Sequence, residues 1–362
     1  MLLKELFTFL PKSKKSASSG LLEGKYPFFT SSNTIDKYIN IPDYNGEFLI
    51  IGDGGTGNCK FYKGCFSVSD HNYVLQPKSG TNALCVQYFL KRDNYKILND
   101  GFKGVGIKNV SKTYIENINY SYNKKFTEKV IVSNLINIEL LIEKCKKQLF
   151  LFNELIKSRF IEMFGDENDE KWPSVRLEEI GECKNGMNFT YKNSGFKINC
   201  LGVGDFNNNS IISDTTKLPY IELEQKPNED YLLKNEDIVF VRSNGNKLLV
   251  GRSVLVYPNN VPTVFSGFCI RFRMKSNNIN SVYLLYALRT DHIRTKMHGR
   301  GANIQNLNQK ILLNLNIQLP PKFQQDKFAS FVEQIDKLKF VVQKRMDLYK
   351  ELLDKKMDEY FN

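Results

Sequence analysis

Two segments of the chain gather side chains that can hydrogen-bond or carry charge outward. In the first, GDGGTGN at 52–58 is followed at once by Lys60, Tyr62 and Lys63. In the second, VFVRSNGNKLLVGR carries Arg242, Ser243, Asn244, Asn246, Lys247 and Arg252 on a strand and the turn after it. Arginine and lysine match guanine O6/N7 and phosphate oxygens, and asparagine matches adenine N6/N7, while serine and backbone N–H groups fix register. These sets imply recognition of nucleic acid. Gly54 and Gly55 would let the backbone approach such a ligand closely, and Ser31, Ser32, Asp70 and His71 complete the candidate contacts. The glycine run has a rival reading as a nucleotide loop. It lacks the closing Lys-Ser/Thr of a P-loop, and no clear helix-forming segment comes after it, so a turn between strands fits better.

Bond-breaking constellations are missing from the sequence. There is no HExxH, no GxSxG, no strand-borne GxGxxG and no Asn/Asp-Pro-Pro-aromatic tetrapeptide of the kind used on a flipped adenine. Asp70-His71 resembles a base with its orienting carboxylate. Adjacent residues on a strand face opposite ways, so the pair is read as touching DNA or supporting the loop. The 7 cysteines form no CxxC pair, and 3 histidines are too few for most metal clusters, so no metal is expected and the thiols are read as reduced packing residues.

The elements that must position the two segments are legible from hydrophobic periodicity. Strand-like runs at Glu47–Ile51, Cys65–Val68 and Asn72–Leu75, then Ile238–Arg242, Ser253–Tyr257 and Phe268–Met274, alternate with Gly/Asn/Asp turns. Short helices around Ala83–Leu90 and Val282–Leu288 give a mixed α/β pattern. An internal repeat organises the whole. GVGIKNVSKTYIENINY (104–120) lies over GANIQNLNQKILLNLNI (301–317), pairing Ile107 with Ile304, a separation of 197 residues (304 − 107). The same separation pairs Phe126 with Phe323, Leu155 with Leu352 and Phe164 with Phe361 without a gap.

Inside the repeat, Leu135, Ile138, Ile142, Cys145, Leu149, Phe152, Ile156, Phe160 and Met163 recur at spacings of three and four, one apolar stripe on a long helix. The second copy repeats the stripe at Val332, Ile335, Val342, Met346, Tyr349, Leu353, Met357 and Tyr360, with Lys339 interrupting it. A helix of about 32 residues is about 48 Å long, so an antiparallel pair would act as a spacer. The segments read as a globular unit at 1–120, a helix at 121–166 ending at Gly165, a second unit at 167–320 and a helix at 321–362 after Pro320-Pro321. At 362 residues two domains are expected. The formal net charge of +12 suits a partner rich in phosphate. No apolar run approaches the ~20 residues of a membrane span, and the N-terminus lacks a signal-peptide pattern, so a cytoplasmic protein is expected.

Taken together, EGKYPFFTSSN, FLIIGDGGT, FSVSDHNYVLQP and GIKNVSK in the first unit, and WPSVRLEEIGECKNGMNF, LKNEDIVFVRSNG, NLNQKILLNLNIQLPP and Gln324-Gln325 in the second, resemble the specificity subunits of type I restriction-modification systems. The family's proline-rich, glutamine-bearing helix start is kept at 319–325 and degenerates to NYSYNKKFTEK at 119–129. The resemblance implies two target-recognition domains, each reading one half of a split double-stranded DNA target, on a pseudo-twofold repeat whose antiparallel helices act as a ruler. It implies two modification (methyltransferase) subunits as partners, and restriction (nuclease/translocase) subunits in the restriction complex. S-adenosylmethionine and ATP/Mg would sit on those partners, leaving this chain without catalytic residues or cofactor. Because the readers differ in sequence, the half-sites should differ and lie about one DNA turn, ~34 Å, apart. Two other readings stand beside it: a basic interaction scaffold that binds any DNA, and a self-contained methyltransferase or nuclease.

Overall fold

A computed structural model describes residues 1–106, 108–165, 171–189, 195–206, 210–297 and 306–362, with Lys247 described by its backbone alone. Ile107, Ile304 and residues 166–168 of MFGDEN lie outside the described residues. The chain forms two compact units, Met1–Gln148 with Val342–Asn362, and Leu149–Val341.

In unit 1, a short helix α1 (Leu3–Leu6) leads into six strands: β1 (Phe7–Phe9), β2 (Tyr26–Phe29), β3 (Tyr38–Ile39), β4 (Tyr44–Gly52), β5 (Cys59–Val68) and β6 (Asn72–Pro77). They form one sheet in the order β1-β6-β4-β5-β2-β3. Side-chain alternation along β4 splits the core. Leu49 and Ile51 face a cluster with α2 (Ala83–Asn99), whereas Phe48 and Ile50 face an aromatic cluster built on Phe29 and Phe66. The helix expected at Ala83–Leu90 is the first part of α2, which leaves helical geometry at Arg92–Tyr95. After β7 (Phe102–Lys103), β8 (Asn109–Val110) and α3 (Lys112–Glu116), the long helix α4 runs Glu128–Phe164.

That helix starts later than position 121. Residues 121–127 hold no helix; Thr127 sets the start, its Oγ1 accepting the Val130 N–H at 3.4 Å, a side-chain cap for an otherwise orphaned donor. The other end lies at Phe164, where Gly165 takes φ +92° and donates to Ile161 O at 2.8 Å. Within unit 1, Ile131 and Leu135 of α4 join Met357, Tyr360 and Phe361 of α9 (Lys322–Phe361) in one core, low numbers against high, as antiparallel helices require.

Unit 2 contains β9 (Ser174–Arg176), α5 (Leu177–Ile180), β10 (Gly181–Asn185), β11 (Phe196–Leu201), β12 (Ile211–Ile212), β13 (Tyr220–Leu223), β14 (Asp237–Val241), β15 (Ser253–Val256), β16 (Thr263–Phe265) and β17 (Cys269–Met274). The helices α6 (Ser281–Ala287), α7 (Asp291–Met297) and α8 (Gln309–Leu313) and the strand β18 (Asn316–Gln318) complete it. Its main sheet is β10-β17-β14-β15-β12. Every residue of β14 is buried, because both faces are covered. A further sheet, β13-β11-β16, has its own core on Ile198, Ile221 and Val264. Ile156, Phe160 and Phe164 of α4 pack with Phe328, Val332 and Ile335 of α9, again antiparallel.

The repeat is structural as well as sequential. Ser111 Oγ caps α3 by accepting from Tyr114 N, and Asn308 Oδ1 caps α8 by accepting from Ile311 N, each pair 197 residues apart. Leu3 N donates to Ile118 O at 3.1 Å and Leu177 N to Leu315 O at 3.0 Å. The main sheets match too, with β1, β6, β4, β5 and β2 corresponding in order and direction to β10, β17, β14, β15 and β12.

Along the predicted pairing stripes, Leu135, Ile138, Ile142, Ile156, Val332, Ile335, Val342 and Met346 are buried, and Leu149, Phe152, Tyr349 and Leu353 are half-buried. The start of α9 uses a buried Gln325, whose Nε2 donates to Pro320 O at 2.7 Å while its Oε1 accepts from Asn280 N at 2.8 Å. At the matching point of α4, Glu128 Oε1 accepts from the Tyr120 hydroxyl at 2.7 Å. The degenerate helix start has exchanged one polar anchor for another.

Candidate nucleic-acid interface

The glycine run spans the connection between β4 and β5, so the element it leads into is a strand. Its backbone is tied on several sides: Val110 N donates to Asp53 O at 2.9 Å, Gly55 N to Lys108 O at 3.2 Å and Gly57 N to Asn99 Oδ1 at 2.7 Å. Gly55, exposed with φ +86°, needs glycine for its backbone alone. Asn58 Nδ2 donates to Ser31 O at 2.9 Å, and Lys60 Nζ donates to Ser32 O. Ser31, Ser32, the glycine turn and Lys60 therefore form one assembly. Burial pulls the Lys60 ammonium below the usual lysine range.

Two predicted contacts of unit 1 lie elsewhere. The Tyr62 ring is wedged edge-on between Phe29 and Phe66, at centroid distances of 5.2 and 5.5 Å, as part of the aromatic core. Lys63 pairs across the sheet with Glu47 at 2.6 Å. Asp70 and His71 occupy the turn between β5 and β6, not a strand, so the expectation of opposite faces does not apply. The partner of His71 is Asp53: Nδ1 lies 3.0 Å from the buried Asp53 Oδ1, Lys12 also pairs with that carboxylate, and Asp53 N donates to His71 O at 3.1 Å. His71 is 61% exposed. Asp70 is half-buried, with its N–H donating to Lys15 O at 2.7 Å.

Unit 2 repeats this frame with other side chains. Arg242 follows β14 as Asp53 follows β4; its N–H donates to Phe268 O at 2.8 Å and its carbonyl accepts from Leu307 N at 2.9 Å. Its Nη1 donates to Gly267 O at 3.3 Å. Ser243 bridges to Asn306 as Gly54 bridges to Asn109. Asn244 Oδ1 and Asn246 Oδ1 accept from Asn246 N and Leu248 N at 2.8 and 3.0 Å, so both amides are oriented by their own loop. Arg252 is exposed, its carbonyl accepting from Val241 N at 2.8 Å. The side chain of Lys247 lies outside the described residues.

Sequence reasoning missed Lys12, Asp53 and Phe268. The 197-residue separation held the signal: it sets Ser69-Asp70-His71-Asn72 over Ser266-Gly267-Phe268-Cys269, which marks 268 as the counterpart of 71. Among the described residues no group of three or more His, Cys, Asp or Glu is placed to hold a metal ion, and no helix is long and apolar enough to cross a membrane.

Comparison with known proteins settles the family. Residues 1–159 and 169–346 match the sequence profile described as the type I restriction modification DNA specificity domain. The chain belongs to this family. A type I DNA specificity chain from Salmonella potsdam, the StySPI specificity subunit, is 24% identical over 282 residues, covering 72% of this chain and 60% of the relative. The EcoDI specificity subunit of Escherichia coli is 24% identical over 148 residues, 41% of this chain and 33% of that one. The matched part of the chain thus spans 60% and 33% of the length of these two curated relatives. In fold it is similar to a crystal structure of the type I restriction-modification S subunit from M. genitalium, with TM-score 0.61 at 15% identity, over 100% of this chain and 95% of that one. A structure from a study of type I R-M complex assembly and conformational transition gives TM-score 0.52 at 14% identity, over 99% and 96%.

Proposed function

We propose that the chain is the non-catalytic specificity subunit of a type I restriction-modification complex, in which units 1 and 2 each read one half of a bipartite, asymmetric double-stranded DNA target. The observation that carries this reading is one backbone frame displaying two side-chain sets: Ser31, Ser32, Gly54, Gly55, Lys60 and His71 in unit 1, and Arg242, Ser243, Asn244, Asn246 and Arg252 in unit 2. A shared frame docks on DNA in one way, and unlike side chains select unlike bases. Half-sites about one DNA turn apart, ~34 Å, follow from such paired reading.

The helices supply docking surfaces for modification subunits. Leu141 and Leu348 are exposed in unit 1 at 37% and 64%, and their repeat counterparts Leu338 and Leu151 in unit 2 are each 50% exposed. Exposed leucines at equivalent positions in the two units suit two copies of one partner. Those partners carry S-adenosylmethionine, and restriction subunits carry ATP and Mg²⁺; the complex works on cytoplasmic DNA.

The test is methylation-sensitive sequencing of host DNA from cells expressing the chain with its methyltransferase subunit. A split, asymmetric motif that vanishes when this chain is deleted is the expected result. A continuous or palindromic motif would overturn it, and salt-sensitive binding to all DNA without a motif would favour the scaffold.

A further inference from the structure

Phe268 sits at the third position of a tight turn, Ser266–Cys269, closed by Cys269 N donating to Ser266 O at 2.8 Å. A phenyl ring 62% exposed is costly to display, yet this turn is held on every side. Arg242 N and Ser243 N both donate to Phe268 O, at 2.8 and 3.4 Å, and Phe268 N donates to Ser266 Oγ at 3.3 Å. A Cβ at Gly267 would meet Asn188 Oδ1 at 2.1 Å, so the turn is seated tightly against its neighbour. The backbone that carries the ring is thereby fixed beside Arg242 and Ser243, two of the polar contacts assigned to unit 2. At the matching place unit 1 presents His71, whose Nδ1 is engaged by Asp53.

We propose that Phe268 is a specificity-determining residue of unit 2, its ring packing against the 5-methyl group of a thymine in the half-site that unit 2 reads. This rests on the reading of the chain as a DNA specificity subunit. A phenyl ring offers neither donor nor acceptor of ordinary strength, and thymine's methyl is the apolar feature among base edges in the major groove. The imidazole of His71 answers to the polar edges of a base instead, so the two tips read different features.

The experiment takes the full chain in complex with its methyltransferase subunit and a duplex bearing its methylation motif. Each thymine of both half-sites is replaced in turn by deoxyuridine, which removes one methyl and nothing else. For the wild type, affinity should fall about fourfold at one position of one half-site, the value of one buried methyl. Phe268→Ala should bind the unmodified duplex about as weakly and be indifferent to deoxyuridine there, while Phe268→Leu keeps the discrimination. A wild type indifferent at every thymine, a Phe268→Ala variant as sensitive as wild type, or a motif lacking thymine would overturn the assignment while leaving the specificity reading intact. A complex that yields no motif and binds all duplexes alike would sink that reading, and the assignment with it.

Discussion

At the turn before β6, unit 1 carries Asp70 and His71 where unit 2 carries Gly267 and Phe268, and after the preceding framework strand Asp53 stands where Arg242 does. The backbone bonds are the same: Asp53 N to His71 O at 3.1 Å, Arg242 N to Phe268 O at 2.8 Å. Only the outward chemistry changes, from a carboxylate-held imidazole to a guanidinium beside a phenyl ring. The strands beneath diverge similarly. By register, Asp237 and Arg273 of unit 2 occupy the places of Phe48 and Gln76 in unit 1. Backbone hydrogen bonding tolerates such exchanges, so a duplicated frame can separate in surface while staying one fold.

The largest break in this comparison should come from Asp237→Ala. It strands the Arg273 guanidinium, which now makes two 2.8 Å bonds to a carboxylate only 1% exposed, and should cost about 3 kcal/mol by denaturant unfolding. Restoring most of that loss with Asp237→Leu/Arg273→Leu would show that unit 2 can dispense with the ion pair, as unit 1 does with Phe48 and Gln76 in these places.

Asn72→Ala comes next, at about 2 kcal/mol. The buried Asn72 Nδ2 donates to Phe29 O and Ser69 Oγ at 3.2 and 3.0 Å, whereas Cys269 holds its place in unit 2. Its loss should also raise hydrogen exchange at the His71 tip; unchanged exchange would mean that backbone bonds alone hold the turn.

His71→Ala and Arg242→Ala should each weaken DNA binding by about 1–3 kcal/mol, relaxing opposite halves of the motif and barely changing stability. Relaxation of the same half by both would end the two-reader comparison. Lys60→Ala should cost DNA binding about 1 kcal/mol, partly through the loosened Ser32 segment. Lys63→Ala, which removes an exposed pair with Glu47, should change stability by less than about 0.5 kcal/mol and binding hardly at all.

The features legible in the sequence came from local pattern. The stripes on α4 and α9 and the β4–β5 connection declare themselves within a few turns or strands, and the α3/α8 segments through self-similarity at a fixed separation. Tyr62 misled because its composition suits a contact residue, while its place in the Phe29–Phe66 cluster depends on a strand 33 positions away (62 − 29). The Asp53–His71 pair and the anchoring of Lys60 on Ser32 are likewise products of chain reversal, invisible to spacing. Among the described residues the sheet β13-β11-β16 has no counterpart in the first copy, so the repeat gave no hint of it.

Unit 1 is assembled from Met1–Gln148 and Val342–Asn362, whereas unit 2 is the unbroken stretch between them. On the ribosome this dictates an order. Unit 2 can close as soon as its own residues emerge, but Ile131 and Leu135 must wait for Met357 and Tyr360, made more than two hundred residues later. The nascent first unit therefore spends that interval with an apolar seam open, a substrate for chaperones, and joining so distant a segment is slow in any chain. Maturation of the chain should be limited by the closing of its earliest-made half.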